Sequence, residues 1–110
     1  MDSAQMQRLC RRYSEVGSCE RNRLKAKIAE YAAAKARRLD RIARRHDCRY
    51  QAGFFPEKAR EYAFDSWYGG EIHIVLPSVP DADVGVPFEA FDPGYEKEYG
   101  RRFEERHGGD

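Results

Sequence analysis

Long apolar runs and paired cysteines are both missing from this 110-residue sequence. No stretch of about 18 consecutive apolar residues occurs, so we expect no membrane-spanning helix. The opening residues, MDSAQMQRLCRR, do not place an apolar segment after a basic one, so we expect no secretory signal. The three cysteines include no C-x-x-C pair, which argues against a disulfide framework. We therefore expect a cytoplasmic or otherwise reducing intracellular location, with a virion as the alternative.

A recognisable metal site, phosphate loop or catalytic motif is missing as well. Cysteine and histidine are zinc ligands, but Cys10, Cys19, His46 and Cys48 match no common zinc-site spacing. A continuous helix between Cys19 and His46 would moreover hold these two residues about 40 Å apart. His46, Asp47 and Cys48 have the composition of a catalytic triad, but adjacent residues rarely converge on one substrate. The segment WYGGE lacks the lysine and the following helix of a phosphate loop. Taken together, these observations predict no metal, no cofactor and no catalytic residue, so we expect that the protein is not an enzyme.

What the sequence does contain is an uneven distribution of charge. Residues 1–50 hold 14 Lys and Arg against 6 Asp and Glu, whereas residues 51–110 hold 6 against 13. The formal net charge of +1 therefore conceals a basic half and an acidic half. This division predicts that the basic half contacts something anionic, which is either the chain's own acidic half or a separate partner.

Two helices are predicted in the basic half. The first covers residues 3–16, with Gly17 placed to end it in the left-handed conformation and Ser18 to cap the next helix. No proline or glycine interrupts residues 19–46, so one helix about 40 Å long is expected there. Its larger apolar residues form one stripe at helical spacing, which Lys35 interrupts. The stripe comprises Leu24, Ile28, Tyr31, Leu39 and Ile42, with Ala32 and Ala43 beside them.

The opposite face of this long helix is basic, and its arginines are the predicted binding site. Arginines four residues apart repel each other by about a few tenths of a kcal/mol in an isolated helix, so counter-charges are expected nearby. The counter-charge is solvent or the chain's own carboxylates, an acidic protein partner, or the phosphates of a nucleic acid. Glu30 lies within the basic face, and no zinc finger, aromatic RNA-binding strand or helix-turn-helix accompanies it, which weighs against nucleic acid. The predicted partner- or nucleic-acid-binding residues are Arg37, Arg38, Arg41, Arg44 and Arg45.

The middle of the chain is predicted to form one further helix and one strand. Residues 47–55 are expected to form a turn, residues 56–64 a short helix that WYGG ends, and residues 71–76 the only clear strand. A lone strand leaves its backbone groups unpaired. We therefore expect it to form a hairpin with residues 84–88 or, alternatively, to pair with a partner's sheet.

The C-terminal third is predicted to be an extended arm followed by a helix. Residues 77–93 are rich in proline and carry spaced apolar residues, so we expect them to extend over a surface. The last helix is expected to begin with Asp92 as its cap and Pro93 in its first turn. Its predicted apolar face comprises Tyr95, Tyr99 and Phe103.

Aromatic residues are concentrated in residues 50–68, which hold seven of the 14 in the chain. Most of these rings are expected in the core, but a small domain has few places to bury so much ring area. Trp and Tyr are also enriched at the energetic centres of interfaces. The predicted protein-interface residues are Phe54, Phe55, Trp67 and Tyr68.

The sequence thus predicts a mainly α fold with a long basic amphipathic helix, two or three shorter helices, a minimal β-hairpin and an extended Pro-rich arm. Residues 1–76 are expected to be helical and to end in a strand, and residues 77–110 to be the arm and last helix, within one folding unit. This organisation favours a non-catalytic binding protein, such as an accessory, assembly or inhibitory subunit of a larger intracellular or viral complex. A nucleic-acid-binding regulator that acts through the arginine face is the alternative.

Overall fold

The computed structural model describes residues 1–46, 63–68, 70–75 and 83–107. The predicted turn at 47–55, most of the predicted helix at 56–64, and residues Phe54, Phe55 and Cys48 lie outside these ranges. The described elements, in chain order, are α1 (Ser3–Glu15), α2 (Ser18–Arg44), β1 (Ala63–Tyr68), β2 (Glu71–Val75), β3 (Asp83–Pro87), a 3₁₀ helix (Phe88–Phe91) and α3 (Tyr95–His107). Helix dominates these residues, as predicted, and a small antiparallel sheet accompanies it.

Helix α1 begins at a capping box. The Asp2 side chain accepts a hydrogen bond from the Gln5 backbone N–H at 2.9 Å, and the Asp2 backbone N–H donates to Gln5 Oε1 at 2.8 Å. These two bonds satisfy donors that the first turn of a helix leaves unpaired. The predicted first helix is confirmed, but its predicted end is wrong. Gly17 is not left-handed: with φ of −74° it is the extended N-cap of α2, and Ser18 is already helical.

Helix α2 is one unbroken rod of 27 residues, which confirms the long helix. Its buried face is rotated toward alanines relative to the predicted stripe, so Tyr31 is 39% exposed and Ile42 only half-buried. The physical reason is that the strands supply the large side chains, and small residues on the helix let the sheet approach closely. The buried residues are Leu24, Ile28, Ala29, Ala32, Ala33, Ala36, Leu39, Asp40 and Ala43.

The sheet is a three-stranded antiparallel meander in the order β1-β2-β3. The predicted pairing of the central strand with the segment after it is confirmed, with Ile72 opposite Val86 and Ile74 opposite Val84. Strand β1 was not predicted, and the helix expected to extend to Phe64 is wrong at this residue, which lies in β1. Strands β1 and β2 are antiparallel neighbours, and Gly70, directly before β2, has a φ of +96°, which favours glycine.

One face of this sheet forms the core with α1 and α2. The side chains of Phe64, Ile72, Ile74, Val84 and Val86 are fully buried on that face. They share one apolar cluster with buried residues of α1, α2 and the 3₁₀ helix. The cluster therefore draws on both segments that the sequence divided at residue 76. Within the described ranges, no helix combines the length and apolar character that crossing a bilayer requires.

The described part of the predicted arm is regular structure rather than an extended strap, because it contains β3 and the 3₁₀ helix. Asp92 does not cap the last helix as predicted. Its Oδ1 instead accepts a hydrogen bond from the Ser3 backbone N–H at 2.8 Å, at the first turn of α1. Helix α3 begins after Gly94, whose carbonyl accepts from the Glu98 N–H at 3.0 Å and whose φ is +87°.

Candidate functional site

Helix α3 lies beside the C-terminal half of α2, and the two helices run in the same direction. Gly100 faces Ile42, where an added Cβ would lie 3.6 Å from the Ile42 Cγ2 atom. About one turn further on, the ring of Phe103 in α3 stacks on His46, two residues after the end of α2, with 5.3 Å between the ring centroids. Because later residues of α3 contact later residues of the α2 segment, the two helices are parallel.

Three aromatic residues hold α3 to the rest of the molecule, as their predicted spacing implied. The rings of Tyr95 and Tyr99 stack with centroids 6.1 Å apart, and Tyr99 meets Phe103 edge-on at 5.0 Å. Burial raises the pKa of the Tyr95 hydroxyl. Because this face points toward the core, the charged residues of α3 are directed to its other sides.

A carboxylate clamp joins the two helices at the start of α3. Glu96 accepts from Arg38 Nε at 2.7 Å and lies 3.6 Å from Lys35 Nζ. Lys35 is largely buried and also lies over the ring of Phe91, 5.6 Å from its centroid. The acidic half of the chain therefore does dock on the basic helix. The interruption that Lys35 made in the predicted stripe is explained by this clamp.

Next to the clamp, α2 and α3 enclose an open groove of about 980 Å³, which we call the arginine groove. Its floor is the line where Ile42 and Gly100 meet. One wall is α2 and the other is α3. The charged residues of the groove are Arg38 and Arg41 on α2, Arg45 directly after its last residue, and Glu96, Lys97, Arg101 and Glu104 on α3.

The arginine groove carries a surplus of positive charge, five cations against two carboxylates. Arg38 is paired with Glu96. Arg101 donates a hydrogen bond to Glu98 Oε1 at 3.0 Å, and this bond raises the pKa of Arg101. Arg41 and Arg45, both exposed, form no ion pair with another residue in the part of the chain that the structure describes. Guanidinium groups form strong hydrogen bonds to carboxylates and phosphates, so Arg41 and Arg45 are the candidate anion-binding groups of the arginine groove.

The structure separates the five predicted arginines into two groups. Arg38, Arg41 and Arg45 line the arginine groove, whereas Arg37 and Arg44 are exposed outside it. Arg44 is paired within α2, with its Nε atom 2.9 Å from the carboxylate of Asp40. The sequence pattern could not make this division, because it depends on where α3 lies.

The contribution of α3 to the groove was missed at the sequence level. Lys97 and Arg101 are four residues apart, as are Gly100 and Glu104, so each pair shares one face of a helix. That spacing was a visible signal. It could not show that this face meets the arginines of α2, because the contact is tertiary.

Of the predicted interface aromatics, Trp67 is the one whose exposure the structure describes. It is 38% exposed, and its ring meets Phe88 edge-on at 6.0 Å. A small cleft of about 180 Å³ opens beside it, lined also by Gln7, Arg11 and Gly70. Tyr68 is the last residue of β1. Phe54 and Phe55 lie outside the described residues.

The cysteines and histidines do not form a reactive cluster in the described ranges. Cys10 is fully buried, and this burial raises the pKa of its thiol to about 11. Cys19 is an exposed free thiol. His73 lies in β2, with its Nε2 atom 3.8 Å from the carboxylate of Glu71. No group of three or more potential metal ligands occurs among the residues that the structure describes.

Comparison with known proteins adds no relative: no protein-family model, no curated protein and no solved structure matches this chain. The site therefore has to be interpreted from its own geometry and charge.

Proposed function

We propose that this protein is a non-catalytic binding protein, an accessory or assembly subunit, and that the arginine groove binds an acidic segment of a protein partner. The observation that carries the proposal is the pair Arg41 and Arg45, exposed in a preformed groove beside a clamp that already holds the carboxylate of Glu96. A carboxylate from a partner would pair with Arg41 or Arg45, one to two turns after Arg38, as Glu96 pairs with Arg38. The free thiols of Cys10 and Cys19 suit a reducing intracellular compartment or a virion.

Two features of the groove favour a protein over a nucleic acid. First, Glu96 and Glu104 lie on the α3 wall, where they would repel a phosphate backbone. Second, Ile42 on the floor offers an apolar contact, which a protein side chain satisfies better than a phosphate. A nucleic-acid-binding regulator that uses Arg37, Arg41 and Arg44 is the alternative, but Arg44 is already engaged by Asp40.

Two arguments for an assembly subunit from the sequence have changed. The central strand β2 is paired on both sides within the chain, so it has no need of a partner's sheet. The described part of the arm packs into the core rather than extending. The proposal therefore depends on the groove and, secondarily, on the exposed ring of Trp67.

The proposal is tested by affinity purification from the source organism with three forms of the tagged chain. They are the wild type, the groove variant Arg41→Glu/Arg45→Glu, and the control variant Arg23→Glu/Lys27→Glu, which reverses two exposed charges about 27 Å away on the same helix. We expect a protein that co-elutes with the wild type and the control variant but not with the groove variant.

Circular dichroism establishes that all three forms have the same helical content. The captured protein, purified separately, should bind the wild-type chain directly, and binding should weaken as salt is raised. If the groove variant retains the same partners as the wild type, or if the partner is a nucleic acid, the proposal is wrong.

A further inference from the structure

We infer that the partner segment is an acidic amphipathic helix that lies in the arginine groove as a third helix beside α2 and α3. This inference rests on the proposed function and adds the conformation and charge pattern of the partner. It is carried by three observations: the way α3 itself docks, the size of the groove, and the unequal charge of its two walls.

Helix α3 provides the template for the docking. Its Glu96 is held between Lys35 and Arg38, three residues apart on α2. Seven residues further along α2, which is about two turns, the corresponding positions are Ile42 and Arg45. The pair Ile42 and Arg45 thus has the same three-residue spacing as Lys35 and Arg38. A helix in the groove would contact one apolar residue and one cation there, whereas α3 contacts two cations. This combination fits a helix with alternating apolar and acidic positions on one face.

The size of the groove matches a short helical segment. The α2 wall from Arg38 to Arg45 and the α3 wall from Glu96 to Glu104 each extend roughly 12 Å, from the rise per residue of a helix. At the pitch of a helix that length corresponds to about two turns, and the groove is open to solvent, with a volume of about 980 Å³. The space is thus suited to about two turns of helix and is larger than a single side chain needs.

The two walls differ in charge, and this difference specifies the partner's pattern. The α2 wall presents Arg38, Arg41 and Arg45, so the side of the incoming helix that faces α2 should be acidic. The α3 wall is mixed, with Lys97 and Arg101 between Glu96 and Glu104, so the side that faces α3 should carry a carboxylate opposite Lys97 and a cation opposite Glu104. A nucleic-acid strand has one charge on every unit and cannot match the Glu104 end of this wall.

The test uses synthetic peptides as probes and fluorescence anisotropy as the readout. The first peptide is helical, locked by a staple on its outer face, with Glu and Leu on the inner face. The second has the same composition and staple, but its Glu and Leu are distributed around the helix. The third keeps the sequence of the first and replaces two central residues by their D-enantiomers, which prevents a right-handed helix. A duplex DNA and a single-stranded RNA oligonucleotide complete the set.

We expect the first peptide to bind the wild-type chain about tenfold or more tightly than the second and third peptides. The second peptide is helical but does not gather its acidic residues on one face, and the third cannot form the helix. The groove variant Arg41→Glu/Arg45→Glu should bind it at least about tenfold more weakly, and the control Arg23→Glu/Lys27→Glu within about twofold of wild type. Gly100→Trp, which places a large side chain on the groove floor, should abolish binding, whereas Gly100→Ala should retain it.

The outcomes separate the two proposals. If the third peptide binds as well as the first and the groove variant loses both, the groove recognises acidic protein but not a helix, so this inference fails and the proposed function stands. If no peptide binds while an oligonucleotide binds through Arg41 and Arg45, both proposals fail in favour of the nucleic-acid alternative. A concentration-dependent dimer that the groove variant dissociates would instead assign the groove to a second copy of this chain and overturn both.

Discussion

Replacing Gly100 with alanine changes the molecule at the line where α2 and α3 meet. Gly100 lies in the interior of α3, where glycine is about 1 kcal/mol less favourable than alanine because it loses more backbone freedom on folding. The new Cβ atom would lie 3.6 Å from the Ile42 Cγ2 atom, an ordinary van der Waals distance. No strain therefore offsets the gain. We expect Gly100→Ala to raise the free energy of unfolding by about 1 kcal/mol, which corresponds to about 4 °C in melting temperature for a chain of this size.

The matched control is the same substitution at Gly94, just before α3 begins. Gly94 has a φ of +87°, a conformation that costs a side-chain-bearing residue about 1 kcal/mol. Nothing lies within 4 Å of an added Cβ there, so the cost is one of backbone conformation alone. Both variants restrict the unfolded chain equally, and this contribution cancels in the comparison. The two free energies of unfolding should thus differ by the conformational cost at Gly94, about 1 kcal/mol.

Urea denaturation followed by circular dichroism at 222 nm, together with a thermal scan, measures both differences. The slope of the urea transition should be unchanged in each variant. If Gly100→Ala is no more stable than the wild type, or is no more stable than Gly94→Ala, then α2 and α3 are packed more tightly at this position than described. The spacing of Gly100 and Ile42 on the floor of the arginine groove would then be wrong.

Three further predictions concern the core and the helix ends. Asp92→Ala should lower the free energy of unfolding by about 0.5–1 kcal/mol, because it removes the charged acceptor of the Ser3 N–H at the first turn of α1. In a urea titration, Asp92→Asn should show a smaller loss of stability than Asp92→Ala. Phe64→Ala should lower it by about 3–5 kcal/mol, since this ring is fully buried between the sheet and α1, and a loss below about 1 kcal/mol would contradict its position in the core. Iodoacetamide at pH 8 should label Cys19 and spare Cys10, because at a pKa of about 11 only about one Cys10 thiol in a thousand is ionised. Peptide mapping measures the labelling, and equal labelling of both cysteines would refute the burial of Cys10.

The sequence predicted α1, α2 and α3, because their signals are local, but the helix expected at residues 56–64 is wrong at Phe64. The absence of proline and glycine between residues 19 and 46 was sufficient to predict one continuous rod. The spacing of Tyr95, Tyr99 and Phe103 was sufficient to predict the packed face of α3. The rotation of the buried face of α2 toward alanine was not predicted, because hydrophobic patterns weight large side chains. It is the sheet that determines where small ones are needed.

Strand β1 was missed because the segment WYGG was interpreted as the end of a helix rather than as the end of a strand. Trp67 and Tyr68 are the last two residues of β1, and aromatic residues favour strands. A bulge between Phe64 and Ser66 also disturbs the alternation of apolar residues, so that Phe64 and Trp67 both oppose core residues of β2 although they are three positions apart. No two-residue period was therefore visible.

The candidate site was predictable in composition but not in geometry. The arginines of residues 37–45 were identified from charge alone, but three of them face α3 and two do not. The sequence left open which anionic groups balance these arginines. In the structure Glu96 is one of those groups, because it pairs with Arg38. Its partner Lys35 had looked like a defect in an apolar stripe. Tertiary contacts between segments about 60 residues apart in sequence have no local signature.

The hydrogen bond between Ser3 and Asp92 spans 89 positions of the chain, and this has a consequence for synthesis on the ribosome. Helices α1 and α2 leave the ribosome first, while β2, β3 and the 3₁₀ helix that cover their apolar sides are translated later. At roughly 5–20 residues per second, the delay from the end of α2 to the 3₁₀ helix is roughly 2–9 s. During this interval Met6 and Ile28 have no sheet to bury them. The nascent helical hairpin is consequently a natural substrate for chaperones that bind exposed apolar segments, and translation speed should influence the yield of folded protein.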